Sequence, residues 1–290
     1  MTAASAEKIQ EILHHIDQWP VDNASAVVLH DGQQVASYGD TDHVFPLASV
    51  SKLLTAYAVL VAAEEGAFGL DDRIPNALAE HFDTPPTIRQ LLAHGSGVAF
   101  DSRSPERAPE SRRIYSSAGY EMLADTVGEL TTIAFPEYAV EALNQPLGMK
   151  VTYEGSAGHG FSASVNDLAL FAREILEPRL LPEQSLAEAL TVQFPGLDGI
   201  VPGYGRQKPC PWGLGFEIHG VNNDIKSPHW LGETMPAHLA GHFGQSGTFF
   251  WVDRYTGTAA IVLTDREFGQ WAKQRWSTFN DALWDALHQE

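Results

Sequence analysis

Apolar residues recur every three to four positions at the start of the chain. Between Ala6 and Trp19, the side chains of Ile9, Ile12, Leu13, Ile16 and Trp19 share one face with charges between them, which predicts an amphipathic helix. The pattern then becomes a hairpin. Ala24 to His30 reads as strand, Asp31-Gly32 supplies left-handed turn residues, and Val35 to Tyr38 returns. An apolar helix follows from Val50 to Glu65, punctuated by Gly66 and Gly69. From there to about Val192 the reading is mostly helical, with helices expected at Thr87–Ala93, Ala118–Leu130, Phe135–Asn144, Val165–Leu176 and Pro182–Leu190 and a polar loop at Asp101–Arg113. Phe194 to Pro211 is rich in Gly and Pro and reads as a crossing between two regions. Strands are expected at Gly213–His219, Thr248–Asp253 and Thr258–Thr264, the last two joined by the turn Arg254-Tyr255-Thr256-Gly257. Phe268, Ala272, Trp276, Phe279, Leu283 and Ala286 mark a closing helix.

This order predicts an α+β fold, an α/β sandwich whose antiparallel sheet is flanked by the N- and C-terminal helices, with a mainly helical second lobe. The expected division is 1–65 with 200–290 for the sheet lobe and 66–199 for the helical lobe, with the active site between them. A chain of 290 residues with 44% hydrophobic content can bury a substantial core.

Thirty-seven acidic residues against eighteen basic ones give a formal charge of −19. That charge repels phosphate backbones and anionic lipid, so neither nucleic acid nor a membrane surface is an expected partner. The longest apolar stretch, Leu53 to Ala63, falls short of the ~20 residues a spanning helix needs. The N-terminal segment has no apolar run leading to a small-residue cleavage site, so a cytoplasmic location is expected. The lone Cys210, between Pro209 and Pro211, excludes an internal disulfide framework and a cysteine zinc site, and reads as a loop thiol. No feature of the pattern sets the oligomeric state.

The candidate chemistry starts at Ser49-Val50-Ser51-Lys52. Ser49 opens the apolar helix and Lys52 lies one turn later on the same side. Capping alone accounts for Ser49. It does not account for Lys52, because a cation in the first turn opposes the helix dipole. Among Val50, Leu53, Leu54, Tyr57, Leu60 and Val61, its ammonium is expected to border a poorly solvated cleft. Desolvation lowers a lysine pKa and makes a neutral amine available to activate a neighbouring hydroxyl. The spacing alone is common: Ser5-Ala6-Glu7-Lys8 repeats it in an exposed helix. Tyr115-Ser116-Ser117, at the end of the polar loop, brings a phenol to a helix start. Gly241-His242-Phe243-Gly244-Gln245-Ser246-Gly247-Thr248 leads into the strand Phe249 to Asp253, with glycines that let a substrate approach the sheet edge.

These residues resemble the serine β-lactamase and penicillin-binding-protein superfamily, most closely its class C β-lactamase-like branch, which includes esterases and D-alanyl-D-alanine peptidases. The family order Ser-x-x-Lys, Tyr-x-Asn, Lys- or His-x-Gly maps to Ser49/Lys52, Tyr115/Ser117 and His242/Gly244. Gly69-Leu70-Asp71-Asp72, Thr87 through Gly97, Gly213-Leu214-Gly215-Phe216 and Gly247-Thr248 through Asp253 also look like family signatures. The resemblance implies a β-lactamase/transpeptidase-like fold and an acyl-enzyme on Ser49. It implies Lys52 and Tyr115 as proton carriers, with the primary base open between them. It also implies an oxyanion hole from the backbone N–H groups of Ser49 and Gln245. Ser117, His242, Phe243 and Gly244 are the implied substrate-binding residues, His242 offering either a pH-dependent charge for a carboxylate or a hydrogen bond.

Ser117 stands where the family has Asn, and its hydroxyl is shorter with fewer donors. With histidine in the third motif, this favours a carboxylesterase acting on small esters over a β-lactamase or a D-alanyl-D-alanine carboxypeptidase. The rival of another class is a non-catalytic ligand sensor. The expected partner is a small ester or amide, and no metal or organic cofactor is implied. His238 and His242 have helical zinc spacing, but Leu239 replaces the needed Glu and Gly241 disfavours a helix. His94 reads as a hydrogen-bonded structural residue, Ser162 and Ser164 as cap residues, and Asp71 and Asp72 as turn or cap residues. Gly244-Gln245-Ser246-Gly247-Thr248 lacks the final glycine of a nucleophile elbow. Pocket walls are expected from the loops Phe100–Arg113, Phe194–Pro211 and Asn222–Ala237.

Overall fold

A computed structural model describes residues 3–220 and 229–288. Helix α1 (Ala3–Leu13) runs into a 3-10 turn at His14–Gln18, and Ile9, Ile12, Leu13, Ile16 and Trp19 are all buried. Strands β1 (Ala24–His30) and β2 (Gln33–Tyr38) form the hairpin, turned by left-handed Asp31 and Gly32. A short strand β3 (Phe45–Pro46) and a 3-10 turn (Ala48–Val50) lead into α2 (Ser51–Glu64), which is buried on every side from Ser51 to Ala62. That enclosure is why its sequence is apolar all round.

The middle of the chain holds α3 (Ile88–Leu92), closed by a Thr87/Gln90 capping box, and α4 (Ser117–Thr131), capped by Ser116. The expected helix Phe135–Asn144 is α5 (Phe135–Ala139) followed by a π turn, then α6 (Gln145–Leu147). Next come β4 (Thr152–Tyr153), β5 (Phe161–Ala163), α7 (Val165–Leu176) and α8 (Glu183–Ala189). Strands β3, β5 and β4 make a small sheet that the pattern did not reveal, because strands of two or three residues carry no periodicity. The Gly/Pro-rich crossing contains a hairpin of β6 (Gly199–Val201) and β7 (Gly205–Gln207).

Of the expected strand Gly213–His219, only β8 (Glu217–Ile218) pairs. Gly213 and Gly215 instead bring backbone against neighbours: a Cβ on Gly213 would meet Ala189 O at 2.1 Å, and one on Gly215 would meet Ala56 Cβ at 2.1 Å. Strands β9 (Ala240–Gly244), β10 (Thr248–Asp253) and β11 (Thr258–Thr264) form a meander. The closing helix is interrupted, as α9 (Gln270–Lys273) and α10 (Trp276–His288).

The main sheet is antiparallel throughout, in the order β2-β1-β11-β10-β9-β8, so the first strand of the chain pairs with the last. Strand alternation divides the core into two layers. Val27, Leu29, Phe250, Val252, Ile261 and Leu263 pack with α2 and α7. Ala26, Val28, Phe249, Trp251, Ala260 and Val262 pack with Ile9 and Leu13 of α1 and with Trp276, Phe279 and Leu283 of α10. The second layer carries a fully buried amide. Asn280 accepts the Trp251 indole N–H at 3.0 Å and donates to Trp230 O at 3.0 Å. Asn280→Leu leaves both partners unpaired, and urea unfolding is expected to show a loss of about 2–4 kcal/mol with an unchanged m-value.

Candidate active site

Ser49 lies in the turn before α2, partly exposed, and directly after a strained residue. Ala48 has φ +46°, a left-handed conformation that costs an alanine ~1 kcal/mol or more. Neighbouring segments hold the approach to it. Leu47 donates to Phe161 O at 2.9 Å, Thr248 Oγ1 donates to Leu47 O at 2.9 Å, and Ser246 Oγ donates to Pro46 O at 2.7 Å. The turn between β9 and β10 therefore sets where Ser49 points.

Lys52, expected to border a cleft, is instead fully buried and is not among the residues lining the cavity beside Ser49. Its Nζ donates to Ser117 Oγ at 3.0 Å and to Gly158 O at 2.9 Å, and stands 4.6 Å from the centre of the Tyr115 ring. Burial pushes its pKa down to about 7, against a smaller opposing pull from the Glu121 carboxylate. Desolvation raises the Tyr115 phenol well above its ordinary value, and the nearby Ser49 side chain only partly offsets this. Near neutral pH the amine is therefore able to accept a proton, whereas the phenol keeps its own. Ser117, short where a carboxamide was the pattern, is the hydroxyl that receives the amine, and a Cβ on Gly158 would press on Ser117 Cβ at 2.9 Å.

On the opposite side, β9 carries His242 and Phe243. Its glycines permit close packing: a Cβ on Gly241 would meet Phe250 O at 2.1 Å, and one on Gly244 would meet Leu47 O at 2.4 Å. Gln245 follows in the turn, anchored by Phe268 N–H to Gln245 O at 2.7 Å and by its Nε2 to Phe268 O at 3.2 Å. His242 is buried, with Nδ1 2.6 Å from Phe243 O. Burial, then the Lys52 charge, brings its pKa down to about 4, so the ring is neutral and the hydrogen-bonding option survives over the charged one.

Ser49, Tyr115, His242, Phe243 and Gln245 line one cavity of about 140 Å³, with Phe100, Val201, Pro202, Trp212 and Glu217 completing its wall. A larger groove of about 560 Å³ runs past Gln10, Trp19 and Tyr38, away from all of these residues. Two of the expected wall loops contribute, through Phe100 and through Val201 and Pro202. Of the third, residues 222–228 lie outside the described residues and 229–237 do not reach the cavity. Trp212 and Glu217 were not singled out from sequence, although they flank Gly213-Leu214-Gly215-Phe216. Glu217 is buried, its Oε1 2.8 Å from His229 Nε2 and its Oε2 accepting the Trp230 indole N–H at 3.0 Å. Burial raises its pKa, but His229, His242 and the Trp230 N–H outweigh that and hold it below the usual value.

Arg113 was also missed. In a Ser/Pro/Arg-rich loop it reads as solvated, yet it is buried and donates to Cys210 O at 2.6 Å, Gln193 O at 2.9 Å, Phe194 O at 3.3 Å and Ala93 O. It ties the loop ahead of Tyr115 to the segment ahead of Trp212.

The family model described as Beta-lactamase matches residues 14–281. The chain belongs to the Beta-lactamase family. A β-lactamase from Mycobacterium bovis is 43% identical, with a TM-score of 0.89 over 96% of this chain and 100% of its own. EstCE1, a hydrolase with promiscuous acyltransferase activity, shares the fold at 15% identity and a TM-score of 0.75, over 97% of this chain and 98% of its own. The D-alanyl-D-alanine-carboxypeptidase/endopeptidase AmpH of Escherichia coli is 26% identical over 169 residues, 44% of this chain and 44% of its own. The chain thus matches under half the length of that relative, and 31% of penicillin-binding protein 4* of Bacillus subtilis. The matches give the protein the β-lactamase fold.

In this family setting the secondary candidates have local roles. His238 Nε2 lies 3.0 Å from Asp253 Oδ1, and His94 Nδ1 accepts Ser116 N–H at 3.1 Å. Asp72 accepts Gly69 N–H at 2.6 Å, Asp71 pairs with Arg89 at 2.7 Å, and Ser164 caps α7. Cys210 is buried with its thiol pushed up to about 12. No helix among the described residues is long and apolar enough to cross a membrane. The Lys52 amine is open to direct test. Carbon-13 NMR of its Cε is expected to titrate near pH 7, and Glu121→Gln is expected to move that midpoint to lower pH by removing the charge that favours the ammonium.

Proposed function

We propose that the protein is a serine hydrolase that forms an acyl-enzyme on Ser49 and acts on small carboxylic esters. The observation that supports this reading is the sealed Lys52 amine, brought down to about 7 and 4.6 Å from the centre of the Tyr115 ring, which shares a cavity with Ser49. A neutral amine has two hydrogens and one lone pair. Ser117 Oγ and Gly158 O take the two hydrogens, which leaves the lone pair to accept a proton from Ser49. Ser49 Oγ bonds to the substrate carbonyl carbon, and the oxygen that becomes negative faces the N–H groups of Ser49 and Gln245. The tetrahedral adduct then breaks its bond to the leaving alcohol, whose oxygen takes the Lys52 proton by way of Tyr115. Water completes the cycle in reverse. Its oxygen bonds to the acyl carbon, its proton passes to the amine, and Ser49 Oγ departs and is reprotonated. Tyr115 relays protons and Lys52 is the base, because the phenol keeps its proton at neutral pH.

Ester substrates fit best because Ser117 is occupied by Lys52 and gives no carboxamide for an acyl-amide side chain. His242 is neutral and gives no charge for a carboxylate. The fold shared with EstCE1 adds support. The second reading, a β-lactamase, is favoured by the name of the 43% identical M. bovis chain, and a carboxypeptidase by that of AmpH.

Wild-type protein is expected to hydrolyse p-nitrophenyl butyrate and to turn over nitrocefin poorly. Efficient nitrocefin turnover without esterase activity reverses the two readings. A fluorophosphonate adduct on Ser49, found by mass spectrometry with no ester turnover, points to the ligand sensor. Ser49→Ala is expected to abolish hydrolysis, and Lys52→Ala to lower kcat/KM by about 10²–10⁴-fold. For the wild type, kcat/KM is expected to rise with pH through about 7 as Lys52 loses its proton; a profile flat from pH 5 to 9 contradicts the role of the amine.

A further inference from the structure

Tyr115 stands just ahead of α4, in a segment without regular structure. Residues 114–116 form no helix or strand, so no ladder of backbone bonds fixes the phenol that shares a cavity wall with Ser49. The fixing comes from His94, two residues past the end of α3. His94 O accepts the Ile114 N–H at 3.0 Å, and His94 Nδ1 accepts the Ser116 N–H at 3.1 Å. One residue thereby bonds the residue before Tyr115 and the residue after it. Its ring also packs on the phenol ring, with centres 4.7 Å apart.

His94 carries two costs in this place. Its backbone is left-handed, at φ +53°, a region disfavoured for any residue with a Cβ. Its imidazole is buried. Because a backbone N–H can only donate, Nδ1 holds the lone pair and Nε2 the proton, so the ring is neutral. Nε2 is sealed without a hydrogen-bond partner, and the ring's further neighbours are Tyr120 and Trp212, with centres 5.2 and 5.0 Å away. A residue kept for packing alone would be apolar here, because an unpaired buried N–H costs free energy that a hydrocarbon side chain does not. What the imidazole adds is the acceptor for Ser116. Other bonds set the course of the segment: Arg113 N–H to Asp198 O at 2.8 Å, Ser116 Oγ to Ala99 O at 2.6 Å and Ser117 N–H to Phe100 O at 2.9 Å. The His94 pair brackets Tyr115 itself and so sets the direction in which the phenol leaves the chain.

We infer that His94 is a positioning residue of the reaction: its carbonyl, ring nitrogen and ring hold the Tyr115 phenol where it passes a proton to the leaving alcohol. This rests on the hydrolase reading above and on the relay it gives to Tyr115. His94 is not among the residues lining the cavity and exchanges no proton in the cycle; it acts through Tyr115 alone. A misplacement of about 1 Å costs a reaction on the order of 10²-fold, which is the scale on which such a bracket matters.

Two esters that give the same butyryl-enzyme isolate the step. Ethoxide must take a proton as it departs from ethyl butyrate, whereas p-nitrophenolate leaves p-nitrophenyl butyrate without one. The ratio of the two kcat/KM values, p-nitrophenyl over ethyl, is read on a single preparation, so loss of folded protein does not move it. His94→Gly keeps the left-handed backbone and removes the ring and its acceptor, and is expected to raise the ratio by about tenfold or more. Should that variant not accumulate, His94→Ala removes the same groups and is read in the same way. His94→Asn accepts the left-handed region and offers Oδ1 to the Ser116 N–H, and is expected to return the ratio to within about threefold of wild type. Tyr115→Phe is expected to raise the ratio at least as far as His94→Gly, and adding His94→Gly to it is expected to change the ratio no further. Equal losses on both esters in His94→Gly overturn the inference and leave the hydrolase reading standing. So does a ratio that His94→Asn fails to restore, one that moves again in the double variant, or one that Tyr115→Phe leaves at the wild-type value. Absence of turnover of either ester, or turnover that survives Ser49→Ala, brings down the hydrolase reading and this inference with it.

Discussion

Keeping a charge out of water is costly, and the arrangement around Lys52 turns that cost into reactivity. An ammonium at the start of a helix is disfavoured twice, by the positive end of the helix dipole and by the loss of its hydration. Both effects act only if α2 is enclosed on every side, which explains why a helix so near the N-terminus is apolar around its whole circumference. The sheet closes one side of it through Phe250, Val252 and Ile261, while α4 and the backbone around Ala157 and Gly158 close another. Thr55 Oγ1 donates to Ala157 O at 2.7 Å one turn after Lys52 donates to Gly158 O, so the helix is pinned to that backbone by two successive bonds.

Around this amine the remaining groups divide by what burial does to them. Histidine and phenol respond in opposite senses: desolvation removes the proton from His242 and fixes it on Tyr115. Glu217 escapes the rule because two N–H donors substitute for its lost water. The cavity wall therefore carries the Glu217 carboxylate and a neutral imidazole, with the titrating amine behind it.

Much of this could be read from residues alone. Ser49, Lys52, Tyr115 and His242 stand out because each is a reactive type in a context that a surface or core role does not explain. The paired N- and C-terminal strands are readable because alternation and turn residues are strong at both ends. Glu217 was hidden, since a lone glutamate beside glycines looks solvated and only the distant His229 and Trp230 show otherwise. Arg113 was hidden for the same reason: its partners are carbonyl groups, which every residue has. Strand β9 lacks β-branched residues, because Gly241 and Gly244 are needed for close backbone approach, and so it carries no strand signal of its own. The state of His242 was open because protonation depends on enclosure, a property of the folded whole.

The antiparallel pairing of β1 with β11, from Ala24 opposite Thr264 to His30 opposite Thr258, has a consequence for biosynthesis. A chain leaving the ribosome must wait through more than two hundred residues before its first hairpin finds its neighbour in the sheet, and until then the helix bearing Lys52 lacks its floor. A chain that ends upstream of β11 lacks the strand that joins β1 to β10, and the apolar faces of both are left without their neighbour in the sheet.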